Sequence, residues 1–124
     1  MSESTYRTLV AWQRAITLAI EVYTISKTFP DDERFGLTQQ IRRCAVSIPS
    51  NIAEGRRRGA PRDYRRFLHL ARGSLYEIDT HIELAEHLGY CSGDDASQLQ
   101  MAIAQTARPL QGLIAALDRK IGDE

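Results

Sequence analysis

Apolar residues recur along most of this chain at alternating spacings of three and four, the spacing of an α-helix that buries one face. No stretch alternates between apolar and polar residues for long enough to form a strand. The first stripe predicts a helix over residues 8–28 that ends at Phe29-Pro30, because proline disfavours helical geometry in the residue before it. Its members are Leu9, Trp12, Ile16, Ala19, Tyr23 and Ser26.

The second and third stripes predict helices over residues 37–58 and 61–88. Pro49 lies inside the second helix and should kink it, because proline lacks an amide proton and collides with the carbonyl one turn earlier. Gly59 and Gly89 follow the two helices and can end them with a positive φ. The stripes comprise Leu37, Ile41, Cys44, Ile48, Ile52 and Gly55, and then Tyr64, Leu68, Ala71, Leu75, Ile78, Ile82 and Ala85.

A fourth helix is predicted over residues 93–121, with Ser92 as its N-cap. Pro109 interrupts this stripe, so we expect either a bend there or two consecutive helices. Four helices joined by short loops favour an all-α, antiparallel up-down-up-down four-helix bundle, formed by one domain over residues 1–124. The fourth stripe comprises Leu99, Ile103, Ala107, Leu110, Ile114, Leu117 and Ile121.

The first helix carries a second apolar stripe, whose mean direction lies roughly 110° from the first by helix geometry. Its members recur at heptad spacing and are Ala11, Ala15, Leu18, Val22 and Ile25. One bundle seam does not need both stripes, so two alternatives stand. Either the helix is buried unusually deeply in its own domain, or the second stripe docks on another copy of the protein. We favour an oligomer interface, because large exposed apolar patches usually mark interfaces.

The composition is that of a globular chain with no net charge: 124 residues, with 16 Lys and Arg against 16 Asp and Glu. Cys44 and Cys91 are too few for a disulfide framework and predict reduced thiols in a reducing compartment. No apolar run is long enough to span a membrane, and the first residues lack the pattern of a secretory signal. We therefore expect a cytoplasmic protein without a membrane partner.

The zero total conceals a separation of charge. Nine arginines lie between Arg42 and Arg72 with only two acids, whereas acids dominate residues 31–33 and 77–95. Clustered arginines suit nucleic-acid phosphates, because a guanidinium donates two parallel hydrogen bonds. The alternative is a face that is solvated or salt-bridged between subunits. No base-reading motif is present, so we expect binding of the RNA or DNA backbone. The candidates are Arg42, Arg43, Arg56, Arg57, Arg58, Arg62, Arg65 and Arg66.

Asn51 and Glu54 share a helix face close to Pro49, and we expect both to have structural roles. Asn51 would satisfy a carbonyl freed by the proline. Glu54 would pair with Arg42, with Arg43 or with an arginine of a neighbouring subunit. A small polar binding site is the alternative interpretation.

The chain shows no pattern of an enzyme. Glu77 and His81, like Glu83 and His87, are four residues apart, whereas di-metal helix bundles use Glu-x-x-His pairs. A Gly-rich phosphate loop, a nucleophile elbow and zinc-type Cys/His spacing are absent from the sequence. We therefore expect no catalytic residues, no metal site and no cofactor.

The element Ser-Ile-Pro-Ser-Asn-Ile-Ala-Glu-Gly occupies residues 47–55 and is the most specific motif of the chain. It is accompanied by Phe29-Pro30, Phe35-Gly36-Leu37, Gln40-Ile41-Arg42-Arg43, Phe67-Leu68, Ala71-Arg72-Gly73-Ser74-Leu75 and Glu77. Together these residues resemble the four helix bundle protein family, from about Tyr6 to Leu117. That family includes proteins encoded within intervening sequences of large-subunit ribosomal RNA genes, and it is related to the accessory variability determinants of diversity-generating retroelements.

The resemblance implies an antiparallel four-helix bundle assembled as a ring-shaped homopentamer. Members from intervening sequences have no established activity, whereas the retroelement relatives use a basic surface to bind nucleic acid and to engage a reverse transcriptase. We therefore expect a non-enzymatic oligomer that binds RNA or DNA through its arginines, or a protein partner such as a reverse transcriptase. The alternative function is an assembly or scaffold module that binds a protein partner and does not use the arginines.

Overall fold

The computed structural model describes residues 5–123, and in this part of the chain α-helices are joined by short loops with no strand. The predicted all-α four-helix fold is thereby confirmed. The helices are α1 (Val10–Ser26), α2 (Leu37–Arg58), α3 (Pro61–His87) and α4 (Gly93–Gly122). Short 3-10 helices precede α1 at Tyr6–Thr8 and α2 at Asp31–Glu33. The predicted domain of residues 1–124 also includes residues 1–4 and 124, which lie outside the described part.

The first helix is shorter than the predicted range of 8–28. Leu9 has an extended backbone, with φ −75° and ψ 126°, and it separates α1 from the preceding 3-10 helix. Thr5 accepts the amide proton of Arg7 at 3.1 Å and so caps that 3-10 helix instead. At the other end, α1 ends at Ser26, two residues before the predicted boundary, and Lys27 is its C-cap.

A glutamate outside α2 caps its beginning. The N-cap residue, Gly36, has no side chain to offer, and Glu33 accepts the amide proton of Leu37 at 2.9 Å. The hydroxyl of Tyr90 donates to the second carboxylate oxygen at 2.8 Å. These hydrogen bonds, first that of Leu37 and then that of Tyr90, hold the pKa of Glu33 below its ordinary value.

The ends of α3 and the beginning of α4 follow the sequence signals. Gly89 has a φ of +78°, its amide donates to Glu86 O at 3.0 Å, and the amide of Tyr90 donates to Ala85 O at 2.9 Å. This is the Schellman arrangement that a glycine after a helix favours. Ser92 accepts the amide proton of Asp95 at 3.0 Å, as predicted for the N-cap of α4. Gly59, after α2, also has a positive φ of 80°.

Each helix packs on its neighbours in sequence, and α1 also packs on α4, so the four surround one hydrophobic core. The Arg65 guanidinium, near the beginning of α3, lies 3.0 Å from the Asp118 carboxylate near the end of α4. Gln98, near the beginning of α4, donates to Glu21 in the second half of α1 at 2.8 Å. Both contacts join the beginning of one helix to the later part of another; the up-down-up-down order of all four helices stays a prediction.

The core matches the predicted stripe most closely in α3, where all seven stripe residues are buried. In α2, Ala45 is buried while Cys44 is half-buried. In α4, Ile103 and Ala107 are half-buried, whereas Thr106 is fully buried. Its hydroxyl can be buried because it donates to a carbonyl one turn earlier at 2.8 Å.

The expectation for the two stripes of α1 was wrong. The stripe predicted as an oligomer interface fills the core of its own chain, with exposed fractions of 0–7 %; its members are Ala11, Ala15, Leu18, Val22 and Ile25. The stripe predicted as the bundle seam is largely half-buried, and Tyr23 is 42 % exposed. Ala11 and Ala15 of the inward stripe are small and permit close approach of the neighbouring helices, so this stripe faces inward rather than the stripe that contains Trp12.

Both proline-containing helices are continuous. Helix α2 runs through Pro49 and α4 runs through Pro109, so the alternative of two consecutive helices at Pro109 is excluded, whereas a bend at either proline stays a prediction. Neighbouring turns hold the helix together although each proline removes one hydrogen bond. Within residues 5–123, no helix combines the length and the apolar character needed to cross a bilayer.

Candidate nucleic-acid interface

The structure divides the eight candidate arginines into two groups. Arg42 and Arg43 lie in the first half of α2, and the other six lie where α2 ends and α3 begins. With a rise of about 1.5 Å per residue, Arg42 and Arg56 are about 21 Å apart along α2. We call the second group the junction cluster; it comprises Arg56, Arg57, Arg58, Arg62, Arg65 and Arg66.

Arg42 is engaged with the end of α1. Its Nε donates to Ser26 Oγ at 2.8 Å, its Nη2 lies 3.3 Å from Tyr23 O, and its guanidinium lies 4.8 Å from the centroid of the Tyr23 ring. A cation at the C-terminus of a helix is favoured by the helix dipole. This geometry explains Arg42 as a residue that holds α1 against α2.

Within residues 5–123, Arg58, Arg65 and Arg66 of the junction cluster pair with carboxylates. Arg58 lies 3.0 Å from Glu54 and 3.5 Å from Asp63, and Arg66 lies 3.1 Å from Asp63. Arg65 pairs with Asp118 of α4, which is 53 positions away in sequence. The side chains in these pairs are 34–58 % exposed. Exposed ion pairs contribute roughly 0–1 kcal/mol each, so a phosphate could displace these carboxylates at little cost.

Two aromatic rings that the sequence analysis did not single out support the junction cluster. Arg58 and Arg66 lie on the Phe67 ring, at 5.0 and 4.5 Å from its centroid. Arg57 lies 5.0 Å from the centroid of Tyr6, which precedes α1. A stacked guanidinium keeps its edge donors free for an anion while the ring fixes its plane. Phe67 directly follows Arg66 in sequence, whereas no sequence signal connects Tyr6 with Arg57.

Asn51 and Glu54 have local partners. Asn51 donates to Ser47 O at 2.8 Å. The carbonyl that Pro49 frees is that of Ala45, so the expectation that Asn51 would bond to the freed carbonyl was wrong. Glu54 is half-exposed and pairs with Arg58 at 3.0 Å, one turn later in the same helix. The expected pairing of Glu54 with Arg42 or Arg43 was therefore also wrong, because both lie about three turns before it on α2.

Acidic residues lie at the opposite end of the bundle. The hydroxyl of Thr28 donates to Tyr90 O at 3.0 Å, and Tyr90 donates to Glu33, so the α1–α2 loop lies against the α3–α4 loop. The acids of residues 31–33 and 94–95 belong to these loops and to the first turn of α4. Helix α2 begins and α3 ends here, whereas the junction cluster lies at the other ends of both helices. The bundle therefore has a basic end and an acidic end.

Comparison with protein families identifies one match. The profile of the family described as 23S rRNA-intervening sequence protein matches residues 7–112, which include all four helices except the end of α4. The matched range contains the whole junction cluster. Comparison with curated proteins gave no match.

Proposed function

The chain belongs to the 23S rRNA-intervening sequence protein family, and we propose that it is a non-enzymatic, cytoplasmic oligomer that binds the phosphate backbone of nucleic acid. The junction cluster is the proposed binding surface. RNA is the preferred ligand in this proposal, since the family takes its name from sequences within a ribosomal RNA.

One observation carries the proposal: six arginines lie at one end of the bundle, and three of them lie on aromatic rings. Aromatic rings fix the guanidinium planes before a ligand arrives, which reduces the entropy lost on binding. Acids of residues 31–33 and 94–95 lie at the opposite end, whereas Glu54, Asp63 and Asp118 are the carboxylates that pair with the cluster. A phosphate backbone that approaches the junction cluster therefore meets positive charge, and binding releases counterions from the nucleic acid.

Self-association is the second part of the proposal, with a homopentamer as the resemblance implies. The surface that supports it is the outer face of α1 and the neighbouring face of α2. Ile20 is 62 % exposed, Val46 is 45 % exposed, and Trp12, Ile16 and Ala19 border the groove between the two helices. Exposed apolar patches of this kind usually mark interfaces. A pentamer would repeat the junction cluster five times and multiply its affinity for one long polyanion.

RNA binding is tested with purified protein, a short single-stranded RNA and its duplex, by fluorescence anisotropy between about 50 and 200 mM salt. We expect tight binding at low salt and a steep loss of affinity as salt rises. In the double variant Arg57→Gln/Arg66→Gln, the slope of log affinity against log salt should fall by about 1.4–1.8, since each lost phosphate contact lowers it by about 0.7–0.9.

The matched control is the double variant Arg14→Gln/Arg108→Gln, which removes the same charge from exposed positions on α1 and α4. It should bind RNA almost as well as the unaltered protein. Equal losses in the two variants would mean that only net charge matters, and absence of binding by the folded protein at low salt would refute the proposal. Light scattering tests the oligomer: five chains of 14.0 kDa give about 70 kDa, and Ile20→Glu should lower this mass.

A protein-binding scaffold is the second candidate function, and the exposed apolar face favours it. Phe35 is 77 % exposed beside this face, next to Val46 and Tyr23 in one groove. A specific protein recovered after nuclease treatment, equally by the unaltered chain and by Arg57→Gln/Arg66→Gln, would support the scaffold over the RNA-binding function.

A further inference from the structure

A cysteine, a glutamate and a histidine converge between α2 and α3, far from the junction cluster. Cys44 lies on α2, and Glu77 and His81 lie one turn apart on α3. One potential ligand atom from each residue lies within 4.8 Å of the other two. Cys44 and His81 are half-buried and Glu77 is exposed, so the cluster opens to solvent on one side. No metal site was expected from the sequence, because Glu77 and His81 lack the Glu-x-x-His spacing and Cys44 belongs to no zinc-type Cys/His pattern.

We propose that Cys44, Glu77 and His81 form a binding site for one divalent zinc-like ion per chain. Thiolate, imidazole and carboxylate are the three protein ligand types that Zn²⁺ takes, at about 2.0–2.3 Å. Such bonds place tetrahedral ligand atoms about 3.3–3.8 Å apart. Side-chain rotations that bring the three atoms about 1 Å closer would complete the site. Solvent would supply the fourth ligand on the open side.

Thiolate and imidazole together distinguish this cluster from an ordinary surface carboxylate. Mg²⁺ and Ca²⁺ prefer oxygen ligands, whereas a mixed sulfur and nitrogen set selects Zn²⁺, Co²⁺ and similar ions. Burial is the main cause that lowers the pKa of His81, and the neutral imidazole is the form that binds metals. Burial and the neighbouring Glu77 raise the pKa of the Cys44 thiol, so metal binding would release its proton to solvent.

The surroundings of the cluster hold the two helices in register. The hydroxyl of Ser47, one turn after Cys44, lies 2.6 Å from Ser74 Oγ, one turn before Glu77. Nδ1 of His81 is buried, and among the described residues it has no hydrogen-bond partner. A buried polar atom without a partner costs about 1–3 kcal/mol, and coordination of a metal by this nitrogen would satisfy it.

Cobalt provides the first test, because a Co²⁺–thiolate bond gives a charge-transfer band in the near ultraviolet. Co²⁺ is titrated into the folded, reduced protein, which carries no histidine tag, and Zn²⁺ then competes with a chromophoric chelator. We expect one ion per chain, a thiolate band with Co²⁺, and displacement of Co²⁺ by Zn²⁺. Cys44→Ser should abolish the band, and Cys44→Ser, Glu77→Gln and His81→Asn should each weaken Zn²⁺ binding at least about tenfold.

Two controls separate this site from casual binding at the surface. Cys91→Ser removes the other free cysteine, and Glu83→Gln/His87→Asn removes a pair on α3 with the same spacing that forms no three-residue ligand group with a thiol in the described part of the chain. Both controls should leave the Co²⁺ band and the Zn²⁺ affinity unchanged. Absence of a thiolate band in the unaltered protein, or a band that survives Cys44→Ser, would overturn the proposal. Glu77 is exposed, so the Glu77→Gln result stands even where loss of Cys44 disturbs folding.

Discussion

Gly55 lies at the closest approach of α2 to α3, and its replacement by alanine should destabilise the protein. A Cβ added at this position would lie 2.9 Å from Phe67 Cβ, 2.9 Å from Tyr64 Cδ1 and 3.1 Å from Tyr64 O. Non-bonded carbon atoms prefer about 3.5–4.0 Å, so the helices would have to separate by more than about 0.5 Å. Two of the three obstructing atoms move only with the backbone of α3.

The magnitude follows from two opposing effects. Alanine is better than glycine inside a helix by about 1 kcal/mol. Overpacking of a core costs about 1–3 kcal/mol, and the rigid surroundings of Gly55 favour the upper part of this range. Gly55→Ala should therefore lower the free energy of unfolding by about 1–2 kcal/mol. In a domain of this size the melting temperature should fall by about 4–8 °C.

Thermal and urea unfolding followed by circular dichroism measure this change, at one protein concentration because self-association would add to stability. Gly73→Ala on α3 and Gly112→Ala on α4 are the matched controls, since a Cβ at either position meets nothing within 4 Å. Each control should gain about 0.5–1 kcal/mol. If Gly55→Ala is stabilised as much as the controls, the close approach of α2 and α3 does not constrain this position.

Four further substitutions test other parts of the fold by melting temperature. Leu18→Ala, in the α1 core stripe, should cost about 2–5 kcal/mol; an unchanged melting temperature with a lower oligomer mass would restore the interface role. Tyr90→Phe should destabilise the protein at neutral pH and less so at acidic pH. The stability that comes from the lowered pKa of Glu33 is present above the unfolded-state pKa of about 4.3 and is lost as the pH falls. A difference in melting temperature between the two proteins that does not change with pH would contradict this. Ser92→Ala should cost about 1 kcal/mol, because the Ser92 side chain caps α4, and Ala60→Ser should gain a similar amount, because Ala60 has no side chain that can cap α3. Changes of the same sign in the two variants would refute the capping argument.

The sequence predicted what depends on local geometry. The apolar spacing of α3, the glycine that ends it and the cap of Ser92 each require only neighbouring residues, and the structure confirms all three. For residues 10–26 the apolar spacing did not predict which face is buried, because two apolar stripes are present there. The bulky stripe with Trp12 was preferred, although the small residues of the other stripe allow closer packing of the helices.

Contacts across helices could not be predicted, because they depend on the register between the packed helices. The pair of Arg65 with Asp118, and the convergence of Cys44 on Glu77 and His81, both join residues more than 30 positions apart. Their spacing in sequence carries no signal for either contact. The register between α2 and α3 is fixed by packing, including the close approach of their backbones at Gly55.

The separation of acidic and basic ends has a practical consequence for purification. The sequence pI of about 6.8 suggests that the protein binds weakly to any ion-exchange resin near neutral pH. A charge separation along the bundle axis instead predicts retention on both kinds of resin. The basic end would bind an anionic resin, and the acidic end would bind a cationic resin. In dilute buffer the basic pole of one particle attracts the acidic pole of the next, which favours head-to-tail stacking and low solubility. Ionic strength, more than pH, should therefore govern its colloidal behaviour.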